Sequence, residues 1–286
     1  MATTIDTAFV KQFGSTLELL VQQKGSKLRD SVRVESVTGE EAYFDQLGST
    51  TAVAKVSRNS DTPLVKSAFY RRRVSMVDWE WADLVDKEDK LKMLVDPDST
   101  ISQNAAYALG RAIDQAIIDA FSGTAYTGKA GGTSTSFTAG NQVAAASTNL
   151  SLAKLITTKV KLDAGNVDPD EPRYIAVTAS QIGALLSSTT VTSADYNTVK
   201  ALVAGELNTF VGFEFKKTQL LTLASTIRTC LAWAKSGMLL ALGSDIKTEI
   251  TRRADKSYAT QIYAAMSIGA TRMQEAKCVE IACIES

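Results

Sequence analysis

Gly123-Thr124-Ala125-Tyr126-Thr127-Gly128-Lys129 has the G-x-x-x-x-G-K spacing of a loop whose backbone N–H groups cradle phosphates. The next residue is Ala130, so the hydroxyl that would hold magnesium is missing. Such a loop also needs a strand before it and a helix after it. Here a helical repeat leads in and no helix begins beyond. A glycine helix stop followed by a low-complexity connection accounts for the same letters. Histidine is absent, which removes the side chain most often used for acid-base work near neutral pH and the commonest metal ligand. Triads built on Ser-His-Asp or Cys-His are therefore excluded. Cys230, Cys278 and Cys283 are odd in number and unpaired in spacing, which predicts buried thiols in a reducing compartment. Asp168, Asp170 and Glu171 offer carboxylates, but Pro169 and Pro172 between and after them point to a solvated turn rather than a calcium loop. Asn149-Leu150-Ser151 is a glycosylation sequon without any sign of secretion. The sequence predicts no catalytic residue, no metal and no cofactor.

Two further groups favour contact over catalysis. Arg71-Arg72-Arg73 suits carboxylate or phosphate geometry. Acidic residues follow within five positions, so ion pairing within or between subunits is preferred to nucleic-acid binding. Val77, Trp79 and Trp81 alternate with Asp78 and Glu80, giving a strand over 74–82 with one aromatic and one acidic face. Those tryptophans read as core or interface.

The elements that would hold these groups follow from periodicity. Leu17, Leu20, Val21 and Leu28 share a helical face in an N-terminal arm over 1–30, interrupted at Gly25. A strand covers 31–37, a turn follows at Gly39, and 42–47 is again strand. Residues 48–70 carry few large apolar side chains, with a turn tip at Asn59-Ser60-Asp61 before Pro63. This reads as a two-stranded excursion. An isolated hairpin is marginal in water, so it needs a neighbour, and another subunit would supply one. Ile101, Ala105, Leu109, Ile113, Ile117 and Phe121 predict a long amphipathic helix over 98–122, capped at Asp96-Pro97-Asp98-Ser99 and stopped at Gly123. Residues 123–148 are mostly Gly, Ser, Thr and Ala and read as a loose connection. Helices are expected over 151–164, from 178 or 180 to 186, and over 194–204. Strands are expected at 174–177, 211–217, 228–234, 238–242, 246–252, 257–270 and 277–284. Helix and strand mix without a β-α-β rhythm, so the class is α+β. Lysine plus arginine and aspartate plus glutamate both number 31, giving no basic stripe for tight nucleic-acid binding. The start lacks a signal-peptide pattern and no stretch reaches membrane-span length, which predicts a soluble protein made in a cytoplasm.

Several segments, in order, resemble the major capsid proteins of tailed bacteriophages. Ala106 to Gly123, AYALGRAIDQAIIDAFSG, resembles their long spine helix. Asn208 to Phe215, NTFVGFEF, is similar to their strand with a Gly-Phe step. Lys235 to Arg253, with Asp255-Lys256, resembles their C-terminal strand pair, and IGATRMQE and CVEI their closing strands. The resemblance implies the Hong Kong 97 phage fold: an N-terminal arm over 1–35, an extended loop over 46–76, a peripheral domain over 77–149 and 243–270, and an axial domain over 150–242 and 271–286. It implies self-assembly as hexamers and pentamers into an icosahedral shell around packaged double-stranded DNA, without sequence-specific binding. It also implies a portal protein at one vertex, a separate scaffold protein, no membrane, and assembly in the bacterial host cytoplasm. Lys55, Arg58, Lys66, Arg71, Arg72, Arg73, Asp78 and Glu80 are the candidate contacts between subunits. The same fold serves encapsulin-like compartments and gene-transfer particles, and another phage structural protein is the more distant alternative.

Overall fold

A computed structural model describes residue 19 and residues 21–86, 98–187 and 209–285. The described residues form three sheets and three α-helices, and the first two sheets and the helices share one core. The first sheet runs in the order β1 (Arg33–Ser36), β13 (Met238–Arg253), β14 (Ala259–Arg272), β4 (Val77–Val85). The second runs β7 (Gln142–Val143), β15 (Cys278–Ile284), β12 (Ile227–Ala234), β8 (Arg173–Val177), β10 (Phe213–Lys217), β9 (Thr209–Phe210), with β11 (Leu223–Ala224) also on β12. The third is small: β2 (Glu41–Leu47), β3 (Phe69–Ser75), β5 (Ala125–Thr127), β6 (Thr133–Thr135).

The long helix α1 (Asp98–Ser122) lies on the first sheet. Ala105, Leu109, Ile113, Ile117 and Phe121 recur every four residues and are all buried. Ile262, Ala264, Met266 and Ile268 of β14 supply the facing apolar row at strand period two. Each fully buried large side chain here is worth about 1.5–3 kcal/mol of transfer free energy. The core continues into the second sheet through Trp233, whose ring meets Phe121 edge-on at 6.0 Å and whose Nε1 donates to Ser31 O at 2.8 Å.

The second sheet carries α2 (Leu152–Ala164) and α3 (Ala179–Ser187). Ser151 caps α2, its side chain accepting from Lys154 N. Thr178 precedes α3, and its backbone N–H donates to Gln181 Oε1 at 3.0 Å, the reciprocal half of a capping box. β8 is buried at every position, which explains its apolar Ile175-Ala176-Val177 run; the buried Arg173 at its start pairs with Asp163 at 2.7 Å.

Several expectations change. The 21–28 segment is not helical, and Val21 is fully exposed while Leu28 is buried, so they share no face. Gly25 at φ +67° turns the chain there. Leu17, Leu20, Asp96, Pro97 and the expected helix over 194–204 lie outside the described residues. The stretch 123–148 is ordered into β5, β6 and β7, because β3 and β15 offer open edges that its backbone pairs with. The strand expected over 74–82 is broken at Met76, whose N–H donates to Glu40 O, so β3 joins the small sheet and β4 the first. The runs at 238–242 and 246–252 are one strand, β13, carried through two register shifts. The excursion is paired at its base only, closing with Gly48 N to Ala68 O at 2.7 Å.

Candidate assembly surfaces

The small sheet turns one face to the body. From it Gln46 Nε2 and Arg72 Nε both donate to Met273 O, at 2.9 and 3.0 Å. Arg72 also pairs with Glu275 at 3.0 Å, and Arg272 pairs with the same carboxylate at 2.5 Å. Arg272 is wholly buried and donates to the carbonyls of Phe121, Gly123 and Thr135. One carboxylate therefore gathers the end of α1, β6 and the root of the excursion. Two guanidiniums share it, and desolvation holds Arg72 below the ordinary arginine pKa against the opposing pull of Glu275.

The other face of this sheet reads as rungs and is crossed at Tyr43 and Arg73 by the turn around Gly131. Leu47 and Phe69 stand directly opposite each other, 63% and 79% exposed. On the next rung Arg71 meets Asp45 at 2.6 Å and holds its carboxyl below the usual range. Arg73, opposite Tyr43, then reaches diagonally to Glu41 at 3.0 Å and lies over the Tyr126 ring at 4.7 Å. Beyond the base, residues 49–68 form no strand and leave Val53, Val56, Leu64 and Val65 exposed. Asn59 sits at the tip with φ 60°, where the sequence places the turn. Lys55, Arg58 and Lys66 are exposed along this loop.

Thus the eight candidate contacts fall into three settings. Lys55, Arg58 and Lys66 line the loop. Arg71, Arg72 and Arg73 are held in ion pairs within the chain. Asp78 and Glu80 lie on β4, where the Tyr263 hydroxyl bonds Glu80 and has its pKa raised by that carboxylate. β4 is an outer strand of its sheet. Trp81 packs on the core, whereas Trp79 and Val77 are surface residues.

The G-x-x-x-x-G-K segment is a β-hairpin, β5 to β6, turning through Gly128 at φ +91°. It has the wrong backbone for a phosphate cradle. Cys230, Cys278 and Cys283 are free and buried, and burial pushes the Cys278 thiol well up. Asp168 and Asp170 form a turn, with Asp170 N donating to Asp168 Oδ1, and Glu171 pairs with Lys277 at 2.8 Å.

Two polar anchors carry no sequence signal. Asp114 falls among the polar positions of the α1 pattern, yet it is fully buried. It accepts from Gln23 Nε2 (2.6 Å), Ser26 Oγ (2.5 Å), Lys27 N (2.9 Å) and Leu28 N (3.0 Å). The N-terminal segment is thereby fastened along α1. It passes so close that a Cβ at Gly110 would lie 2.7 Å from the Gly25 backbone. Lys154 Nζ donates to the carbonyls of Ala145, Thr148 and Ala282, each at 2.8 Å, and burial lowers its pKa.

A long helix across a β-sheet, a second sheet with its own helices, and a projecting loop on a small sheet together define the shell subunits of the Hong Kong 97 phage fold. The structure superposes on the capsid of cyanophage P-SCSP1u with a TM-score of 0.77 at 18% identity, covering 100% of this chain and 96% of that one. It matches the capsid of Ralstonia phage GP4 at 0.76 and 12% identity, covering 100% and 98%. The capsid of a native GTA particle matches at 0.68 and 13% identity, covering 99% and 98%. The sequence matches no curated protein. The family model described as phage capsid protein matches residues 5–285. The chain belongs to that family and is a major capsid protein, a structural component of the virion shell.

Proposed function

We propose that the protein assembles as hexamers and pentamers into a closed icosahedral shell around double-stranded DNA. The observation that carries this reading is the loop over 49–68. Its Val56 and Leu64 are 93% and 91% exposed, and no strand among the described residues covers it. Apolar side chains at the end of a two-stranded base gain a stable environment only on a neighbour. The arm over 1–35 and the loop over 46–76 are then the reaching parts. The peripheral domain is 77–149 with 243–270, and the axial domain is 150–242 with 271–286. Lys55, Arg58 and Lys66 meet neighbouring subunits. Obligate interfaces of this type bury about 2,000–5,000 Å². A separate scaffold protein and a portal protein complete assembly in the host cytoplasm. With 31 cationic and 31 anionic side chains, the chain suits DNA confined by the shell rather than gripped by it.

The test is electron microscopy of the protein expressed alone and with its phage's other head proteins. Closed isometric particles or capsomer rings are the expected result. Uniform monomers under every condition would remove the proposal.

A further inference from the structure

An outer strand with its backbone open is a template for another strand, and natural sheets usually block such edges with lysine, proline or a cover. β4 (Val77–Val85, VDWEWADLV) has neither lysine nor proline. It pairs with β14 on one side, and no described strand pairs with the other. Val77, Trp79 and Leu84 are 54%, 36% and 44% exposed. Its charges, Asp78, Glu80 and Asp83, are all negative.

The loop supplies the complement. Thr51–Val56 contains no glycine or proline, has no strand partner, and alternates Thr51, Val53 and Lys55 with Ala52, Ala54 and Val56. Threonine and valine favour the extended state. The loop's charged residues are Lys55, Arg58, Lys66 and one acid, Asp61. The opposite limb begins at Pro63 and is less suited to a ladder.

We infer that β4 of one subunit takes Thr51–Val56 of a second copy as an added antiparallel strand, with Lys55 opposite Glu80 and Val56 opposite Trp79. This rests on the shell reading and names its contact. In that register Lys55 joins the acidic face of β4. Ala54 and Val56 lie beside Trp81 and Trp79, small residues against large ones. Val53 falls opposite Ala82. Backbone hydrogen bonds supply the adhesion, and the side-chain alternation fixes the register.

The test is a Lys55→Cys/Glu80→Cys protein, assembled and treated with oxidised glutathione. Each new disulfide consumes two thiols and reduces one glutathione disulfide to two glutathione thiols. The native cysteines are buried, so the introduced thiols are the ones that react. A ladder of covalent multimers on a denaturing, non-reducing gel is expected. Closed shells whose chains run only as monomers would overturn the strand addition while leaving the shell reading intact. Absence of shells from the unsubstituted protein would instead overturn the shell reading. A charge swap covers poor assembly of the cysteine variant. Lys55→Glu should raise the concentration needed for shells at least about fivefold, and Lys55→Glu/Glu80→Lys should restore it to within about twofold. A double variant as defective as Lys55→Glu would sink the register.

Discussion

Arg272 and Asp114 show how single polar groups hold this shell subunit together. The Arg272 guanidinium has four sets of acceptors, from α1, β6 and Glu275, and no exposure to water. Removing one side of such a buried pair leaves the other charged and unpaired. Glu275→Gln should therefore cost about 3–5 kcal/mol, because it removes the negative charge that two buried guanidiniums share and leaves them only carbonyl acceptors. Urea unfolding of the dispersed subunit measures this, and a loss below ~1 kcal/mol would refute the shared-carboxylate account. Asp114 behaves differently, since its partners are two neutral side chains, Gln23 and Ser26, and the backbone N–H groups of Lys27 and Leu28. Asp114→Ala should free the arm without melting α1. The amides of Lys27 and Leu28 should then exchange faster by at least about tenfold, while those of Ile113 and Ile117 stay protected. Neither anchor was legible in the sequence. A polar residue on an amphipathic helix carries the same letter whether water or another segment covers it. In this chain the covering segment lies almost ninety residues away.

Among the elements, those with strong local period were readable and those defined by partners were not. α1 follows its apolar repeat from Asp98 to Ser122, and β8 and β12 follow their apolar runs. The stretch from 123 to 148 misled because small polar residues carry no period; its order comes from the edges of β3 and β15. The break at Met76 is likewise set by which sheet each half joins. The excursion separates the two kinds of information most clearly: its base is held by β2–β3 pairing, and among the described residues no strand pairs with its tip. Replacing residues 50–67 with a short glycine turn should leave circular dichroism and subunit stability nearly unchanged, within about 1 kcal/mol, and abolish closed particles. Normal shells from that variant would refute the loop's role. The β13–β14 tip offers a pH test. The Arg253 guanidinium beside Asp255 holds its carboxyl down to about 2. Because the folded value is depressed, the tip's ion pair is complete above the ordinary carboxylate value of 3.8 and is lost as pH falls toward about 2. Titration followed by carboxyl NMR should place Asp255 in that low window, and Arg253→Gln should return it to the ordinary one. An unshifted Asp255 in the parent protein would remove the pairing.

For the whole molecule, the division between a tightly fastened body and a loosely fastened loop has a thermodynamic consequence. Within the body, one apolar core runs from α1 through Trp233 into the second sheet, so the two sheets unfold together. The loop contributes nothing to that core, and its backbone is open to solvent in the free subunit. In the proposed shell, assembly does for residues 49–68 what folding does for the rest: it excludes water from Val53, Val56, Leu64 and Val65 and pairs their backbone. On that proposal each loop contact is modest, but a closed shell repeats it at every subunit, so the sum is large while each step stays reversible. Reversibility lets a misplaced subunit leave before the shell closes. Amide exchange read separately in dispersed subunits and in shells isolates this term. Residues 51–56 should exchange at nearly unprotected rates in the subunit and slow by about a hundredfold or more in the shell, while α1 and β14 are protected in both. Equal exchange of the loop in the two states would mean that its apolar side chains find no partner on assembly, and the contact that closes the shell would then lie on another surface.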